Sequence, residues 1–260
     1  MRLKLTLKRR GKSNTLPFNY AYPVSSWIYK VISKADGNYA DFLHDRGYEV
    51  AGKRFKLFTF SPLNIPNRDI PNNSDRIIIN CDEITFVISF YMDKAAENFV
   101  MGLFKDQHFG LGDKISQVDF VVQHVESLPY EIKDISLKFR TLSPLVVSRK
   151  NERGNDDYLS PTDAGYEELF VKNLIDKYLA TGNEYLPIWE NESISFKLIS
   201  PEPKSKLTTI KADTKEQTKI KGYLFDFELT APKPILEVGY LAGFGRYNAE
   251  GFGCVEVNTS

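Results

Sequence analysis

Twice along this 260-residue chain the hydrophobic period switches from two residues to 3.6 and back, in the same order each time. In residues 2–8, Leu3, Leu5 and Leu7 alternate with polar neighbours, which predicts a half-buried strand. Val24, Trp27, Ile28, Val31 and Ile32 then recur at i, i+3, i+4, i+7 and i+8, predicting an amphipathic helix over 23–34. Segments 55–60 and 77–91 are rich in β-branched and aromatic residues and predict strands. Asp93 is the expected N-cap of a second helix with Ala96, Phe99, Val100, Leu103 and Phe104 on its apolar face, and 115–125 is a closing strand. After Leu128-Pro129 the order repeats. A strand at 135–147 precedes a helix capped at Asp163 and carrying Tyr166, Leu169, Phe170, Leu174 and Tyr178. Strand 194–199, a hairpin over 207–229, a short helix at 235–241 and a last strand at 252–257 follow. The expected fold class is α+β, two tandem ferredoxin-like (RRM-like) βαββαβ domains at 1–128 and 129–260. So common a fold leaves function to be read from its sites.

The composition, 42% hydrophobic and 26% charged, suits two such cores. No apolar run nears the roughly 18 residues of a membrane span, and the amino end alternates charge with Leu, so a cytoplasmic protein is expected. Cys81 and Cys254 sit in separate apolar runs and read as buried free thiols, which leaves a metal site without soft ligands. No metal or other cofactor is expected. The net charge of zero hides a segregation: residues 1–60 hold 12 Lys or Arg against 4 acids, and residues 69–131 hold 4 against 11. Residues 204–221 are basic again, with Lys204, Lys206, Lys211, Lys219 and Lys221. Basic regions in a neutral chain suit a phosphate-rich ligand on one face.

Near the carboxyl end, Gly243-Phe-Gly245-Arg-Tyr-Asn-Ala-Glu-Gly251-Phe-Gly253 sets two Gly-Phe-Gly triplets around a polar segment, between a helix and a strand. Glycines let backbone N–H groups approach a phosphate, and Arg246 can supply charge; turns that need positive φ give the same pattern. The spacing matches neither a P-loop nor a dinucleotide fingerprint.

With this doubled loop the chain resembles the CRISPR-associated endoribonucleases of the "Cas six" type, in the RAMP superfamily, which cut CRISPR repeat transcripts into guide RNAs. Further matches are Phe139-Arg140-Thr-Leu-Ser-Pro-Leu-Val-Val147, Tyr20-Ala-Tyr-Pro-Val-Ser-Ser-Trp-Ile-Tyr29, Phe42-Leu-His44 and Lys56-Leu-Phe-Thr-Phe-Ser61. The resemblance implies metal-independent attack of a 2′-hydroxyl on the neighbouring phosphate, giving 2′,3′-cyclic phosphate and 5′-hydroxyl ends. It further implies that His44 is the general acid or base, that Tyr29 orients or protonates, and that Lys56 stabilises phosphate charge. Lys53 is near enough in sequence to take the role of Lys56. Without the resemblance, His44 reads as a surface histidine at a helix end, Tyr29 as a half-buried aromatic and Lys56 as a solvated strand lysine. His108 and His124 read as an exposed loop residue and a strand residue.

The expected partner is CRISPR repeat RNA. Gly243, Gly245, Arg246, Gly251 and Gly253, the five hairpin lysines and Arg140 are the RNA-binding candidates, with Tyr223 or Tyr247 as base-stacking surfaces. A non-catalytic RNA-binding subunit of a CRISPR effector complex is the alternative, and a ferredoxin-like module for a small ligand or protein a third reading. A monomer or homodimer is expected, with no membrane partner.

Overall fold

The computed structural model describes residues 1–183, 194–210 and 217–258. Its first half is an antiparallel sheet in the order Phe58–Phe60, Glu83–Phe90, Arg2–Arg10, Gln117–Ser127, His108–Gly112. The central strand Arg2–Arg10 buries Leu3, Leu5 and Leu7 as the alternation requires. Helix α1 (Ala21–Ala35) and, beyond a short α2 (Gly37–Asp41), helix α3 (Asp93–Lys105) cover this sheet. Trp27 of α1 meets Phe86 and Phe99 edge-on and stacks on Phe109 at 4.1 Å between centroids. The two helices approach so closely at Gly102 that a Cβ there would lie 1.9 Å from the Val31 carbonyl oxygen.

The second half is a four-stranded antiparallel sheet in the order Ser195–Leu198, Asp226–Thr230, Ser136–Thr141, Val255–Val257. It packs with α4 (Tyr166–Leu179) and α5 (Lys233–Ala242) around Phe139, Phe170, Phe227 and Phe244. In chain order both sheets read 2-3-1-4, the pattern of two tandem ferredoxin-like units, with an extra edge strand on the first. Two hairpins stand outside the second sheet: Val147–Lys150 with Asp156–Leu159, and Lys204–Ile210 with Thr218–Leu224.

Several sequence expectations need correction. Segment 77–91 is two strands, Arg76–Ile79 and Glu83–Phe90, which belong to different sheets. Segment 55–60 is divided by Leu57, held at φ 55°, and 135–147 divides into Ser136–Thr141 and Val147–Lys150. Segment 207–229 comprises the hairpin partner Thr218–Leu224 and a separate sheet strand, Asp226–Thr230; residues 211–216 lie outside the described residues. Met92, not Asp93, caps α3, and Asp93 opens its first turn. Gly165, in the left-handed region at φ 82°, caps α4, while Asp163 accepts from the Ser160 N–H at 2.8 Å. Phe104 is 82% exposed, because it lies at the margin of the α3 stripe, near the helix end. Cys254 is buried, Cys81 only half-buried, and both are free.

The halves share a seam. Arg2, buried at the amino end, donates to the Val255 carbonyl at 2.6 Å and lies over the Tyr240 ring at 4.4 Å. The Thr59 hydroxyl donates to the Phe252 carbonyl at 2.9 Å, and Leu57 packs against Val238 and Ala242 of α5.

Candidate active site

Local chain geometry brings Tyr29, His44 and Lys56 together. Helix α1 stops at Asp36, whose carboxylate accepts the Tyr39 N–H at 2.9 Å and caps α2. Residues Phe42–Arg46 then widen into one π-type turn that ends at Gly47, φ 70°. A Cβ at Gly47 would sit 2.4 Å from the Phe55 carbonyl oxygen, so only glycine allows this turn to lie on the chain at 55–56. The hairpin Tyr48–Val50 to Lys53–Phe55 closes through Ala51 and Gly52, both at positive φ as a two-residue turn matched to strand twist requires.

The Tyr29 ring meets the His44 ring edge-on, 5.1 Å between centroids, and is held from behind by Phe58 at 5.6 Å. Lys56 donates through Nζ to the His44 carbonyl oxygen. The His44 side chain is 67% exposed, and its Nδ1 lies 2.8 Å from Oδ1 of Asp45. With Nδ1 engaged there, Nε2 is the nitrogen left to face a substrate. The Asp45 carboxyl is held below its ordinary range, chiefly by that bond. Burial pushes the Tyr29 phenol well up, with the Glu250 carboxylate adding to it, so Tyr29 keeps its proton. Burial pulls the Lys56 ammonium down, Asp45 opposes, and Arg54 adds to the fall. Lys53 points instead across the seam, to Asp176 of α4. Geometry therefore groups Lys56, and not Lys53, with His44. Asp45 was legible only as the His-Asp adjacency.

The glycine loop is built into the seam. Gly243, Gly245, Gly251 and Gly253 all have φ between 68° and 88°. Added Cβ atoms at Gly251 and Gly253 would lie 2.7 Å from the Phe60 ring and 1.9 Å from the Phe244 carbonyl oxygen. The N–H groups of Phe244, Arg246, Gly251 and Gly253 donate to Gly253, Val146, Asn248 and Pro144 carbonyls. Beneath the loop, the buried Lys177 ammonium donates to Gly243 O at 2.5 Å, Gly245 O at 2.8 Å and Asn248 Oδ1 at 2.7 Å. Asn248 in turn donates to the Phe244 and Phe252 carbonyls at 2.9 and 3.0 Å. Burial pushes Lys177 down to about 7, yet the three oxygens take all three N–H donors of an ammonium, the protonated form that this cage fits. Lys177 and Asn248 were missed in the sequence. The signal for Lys177 was its place in the α4 stripe, three residues after Leu174.

Beside this cluster a cleft of about 590 Å³ opens between the halves. Lys53, Arg54, Lys56, Lys150, Lys172 and Arg246 line it, together with Tyr247; Glu250 is the one acidic residue of the lining among the described residues. Arg246 donates to Ser148 and, at 2.7 Å, to Asp156, which also accepts from Tyr247 at 3.1 Å and pairs with Lys150 at 3.3 Å. Lys172 has no ion pair among the described residues. Lys150, Lys172 and Asp156 were not singled out from sequence.

The remaining candidates are dispersed. Arg140, on the second sheet, makes a two-point contact with Asp226 at 3.1 and 3.2 Å. Lys204 and Lys206 lie opposite Leu224 and Gly222, whereas Lys219 and Lys221 lie opposite Thr209 and Leu207, so strand alternation puts the two pairs on opposite faces of the hairpin. Lys211 lies outside the described residues. Tyr223 is buried, with Lys221 over its ring at 5.4 Å, which removes it as an open stacking surface. His108 starts an edge strand and pairs with Asp106 at 3.9 Å; His124 is exposed on its strand. Among the described residues no three of His, Cys, Asp and Glu gather as metal ligands, and no helix is long and apolar enough to cross a membrane.

Two sheets of 2-3-1-4 order joined by a glycine loop, with a His–Tyr–Lys cluster whose lysine lines a basic cleft, define a tandem ferredoxin-like protein. Residues 15–126 match the description "CRISPR-associated protein Cas6, N-terminal" and residues 126–257 match "CRISPR associated protein Cas6, C-terminal". The chain belongs to the Cas6 family. It is 30% identical, over 98% of its length and 92% of the relative's, to the CRISPR-associated endoribonuclease Cas6 1 of Methanocaldococcus jannaschii. Its fold superposes with a TM-score of 0.82 on the product of a Cas6-related gene from Pyrococcus furiosus, at 26% identity, covering 100% of this chain and 99% of that one. A second solved structure, a CRISPR associated protein Cas6, gives 0.73 at 29% identity and covers 99% of each chain.

Proposed function

We propose that this protein is an endoribonuclease that cuts CRISPR repeat RNA without a metal ion, using His44, Tyr29 and Lys56. The observation that carries the reading is the packing of Tyr29 against His44 with Lys56, which lines a cleft rich in cations, bonded to the His44 carbonyl. Membership of a family whose curated relative is named an endoribonuclease supports it. In this reaction the 2′-oxygen attacks the adjacent phosphorus while its proton passes to a base. The bond from phosphorus to the 5′-oxygen breaks, the leaving oxygen takes a proton, and the ends are a 2′,3′-cyclic phosphate and a 5′-hydroxyl. His44 serves as acid or base through Nε2, with Asp45 setting the orientation of the ring. Tyr29, kept protonated by burial, donates a hydrogen bond or proton, and the Lys56 ammonium supports charge on the phosphorane. Cations along the cleft hold the RNA backbone, whose phosphates supply most of the affinity.

The test is cleavage of the repeat RNA encoded beside the gene, in EDTA. His44→Ala should lose about 10²- to 10⁴-fold in rate, the usual worth of a positioned acid or base. A 2′-deoxy substitution at the cut should block the reaction. Full activity of His44→Ala removes His44 from the mechanism, and a requirement for Mg²⁺ refutes the reaction class. Binding without cleavage by the wild type would favour a non-catalytic RNA-binding subunit.

A further inference from the structure

The turn that carries His44 is bracketed by two tyrosines, one just before it and one just after. Tyr39 lies on α2, Tyr48 opens the hairpin strand Tyr48–Val50, and their hydroxyl oxygens are 3.1 Å apart, within hydrogen-bond distance. His44 sits between them in sequence. Phe42 fills the space inside the bracket, its ring edge-on to Tyr48 at 5.5 Å and tilted on Tyr39 at 6.0 Å between centroids. On the backbone side the Gly47 N–H donates to the Phe42 carbonyl at 2.7 Å and closes the turn. Both tyrosines are anchored in turn. Lys94 of α3 stands over the Tyr39 ring at 4.9 Å and lies 3.8 Å from the Asp36 carboxylate that caps α2. Tyr48 packs on the cluster of Leu57, Val238 and Ala242 and pairs with Phe55, the residue before Lys56.

The largely exposed His44 side chain is met by the Tyr29 ring and by Asp45, so the backbone of the turn decides where the imidazole stands. For packing alone, two phenylalanines would fill the volume of Tyr39 and Tyr48 with no polar atom to satisfy, and a buried hydroxyl is costly unless it is bonded. Tyr39 is buried, and burial, with the Tyr48 hydroxyl adding to it, pushes its phenol up, so it keeps its proton. A bonded hydroxyl pair in this place gives up some stability and fixes one distance between the two ends of the turn. Neither tyrosine is among the described residues that line the basic cleft. We propose that the bond between the Tyr39 and Tyr48 hydroxyls is a clasp that holds His44 against Tyr29 in the arrangement the cleavage step needs, which makes both tyrosines positioning residues. The proposal rests on the ribonuclease reading above. The clasp acts on rate, through His44, and not on affinity for RNA.

The test uses the full chain and the repeat RNA encoded beside the gene, in EDTA, with Tyr39→Phe, Tyr48→Phe and the double variant. Each keeps its rings, and thermal melts check the fold. Each single variant should lower the cleavage rate at saturating RNA about 3- to 10-fold, the usual worth of one hydrogen bond, and leave Kd within about twofold. The double variant should be no slower than the slower single one, since all three lack the same bond. A proton NMR signal separates positioning from general loosening. The chain has three histidines, so the His44 Hε1 signal is identified by its loss in His44→Ala, and the neighbouring Tyr29 ring gives it a ring-current shift. That signal should move toward the free-histidine value in both single variants while those of His108 and His124 stay in place. Unchanged rates in both variants, or slower rates with the His44 signal unmoved, overturn the proposal and, with the wild type still cleaving, leave the ribonuclease reading standing. Movement of all three histidine signals together, or a change in Kd alone, also overturns it. If the wild type does not cleave, the ribonuclease reading falls and the clasp loses its role with it.

Discussion

At the scale of single residues, the molecule concentrates its demands on Lys177. A lysine in the apolar stripe of a helix is costly unless each donor is used, and here two carbonyls and an amide oxygen use all three. Lys177→Met should lower stability by about 2–4 kcal/mol in urea unfolding, because three buried oxygens lose their donor while only part of the loss returns as relief from burying charge. A drop below about 1 kcal/mol would show that the loop holds its shape by the glycines alone. Asp156 is the second such residue. Burial raises its pKa, but Arg246, Tyr247 and Lys150 outweigh burial and leave it lowered. A carboxyl lowered on folding contributes stability above its unfolded value near about 3.9 and loses it as pH falls through the folded value. The stability difference between wild type and Asp156→Asn should thus be constant from pH 7 to about 5 and shrink in more acid solution. A difference that grows with acid would contradict the sign.

At the scale of elements, the turn at 42–47 is what makes the site. Gly47→Ala must either move the Phe55 carbonyl or abandon φ 70°, so it should separate His44 from Lys56, reduce cleavage at least tenfold and cost more than the about 1–2 kcal/mol of left-handed strain alone. Gly154→Ala makes the control. Gly154 also has positive φ, but nothing lies within 4 Å of an added Cβ, so it should pay strain only and keep activity. The same contrast explains what could be read from the sequence. The stripes of α1 and α4 and the alternation of Leu3, Leu5 and Leu7 were visible, because burial on one face imposes a period. The join at Gly47 and the break at Leu57 were not, since one depends on the Phe55 carbonyl folding back across a hairpin and the other on packing against Val238 and Ala242 of α5. The glycine loop was noticed for its pattern, but its reason lies in contacts with Phe60, Thr59 and Val146 that no local reading provides. His44, Tyr29 and Lys56 entered through family resemblance; residue type alone would have left all three as ordinary.

At the scale of the whole molecule, polar contacts tie the two halves together, buried at Arg2 and Thr59 and half-exposed at Lys53. Arg2 reaches Val255 from the first strand, Thr59 reaches Phe252, and Lys53 reaches Asp176, so the first half holds two backbone carbonyls and a charge of the second. The basic cleft and a smaller space lined by Phe18, Arg68 and Lys206 lie along this seam, on either flank of one short turn that includes Glu250. A strand that filled both would have to curve tightly around that turn. Double helices are stiff, DNA over roughly 150 base pairs, whereas unpaired RNA bends within a few nucleotides. The protein would then sort its ligands by stiffness before reading any base: locking the nucleotides next to the cut into a duplex with a complementary oligonucleotide should abolish binding, even though the added strand brings more charge. Equal affinity for the duplex and the single strand would show that no such bend is made.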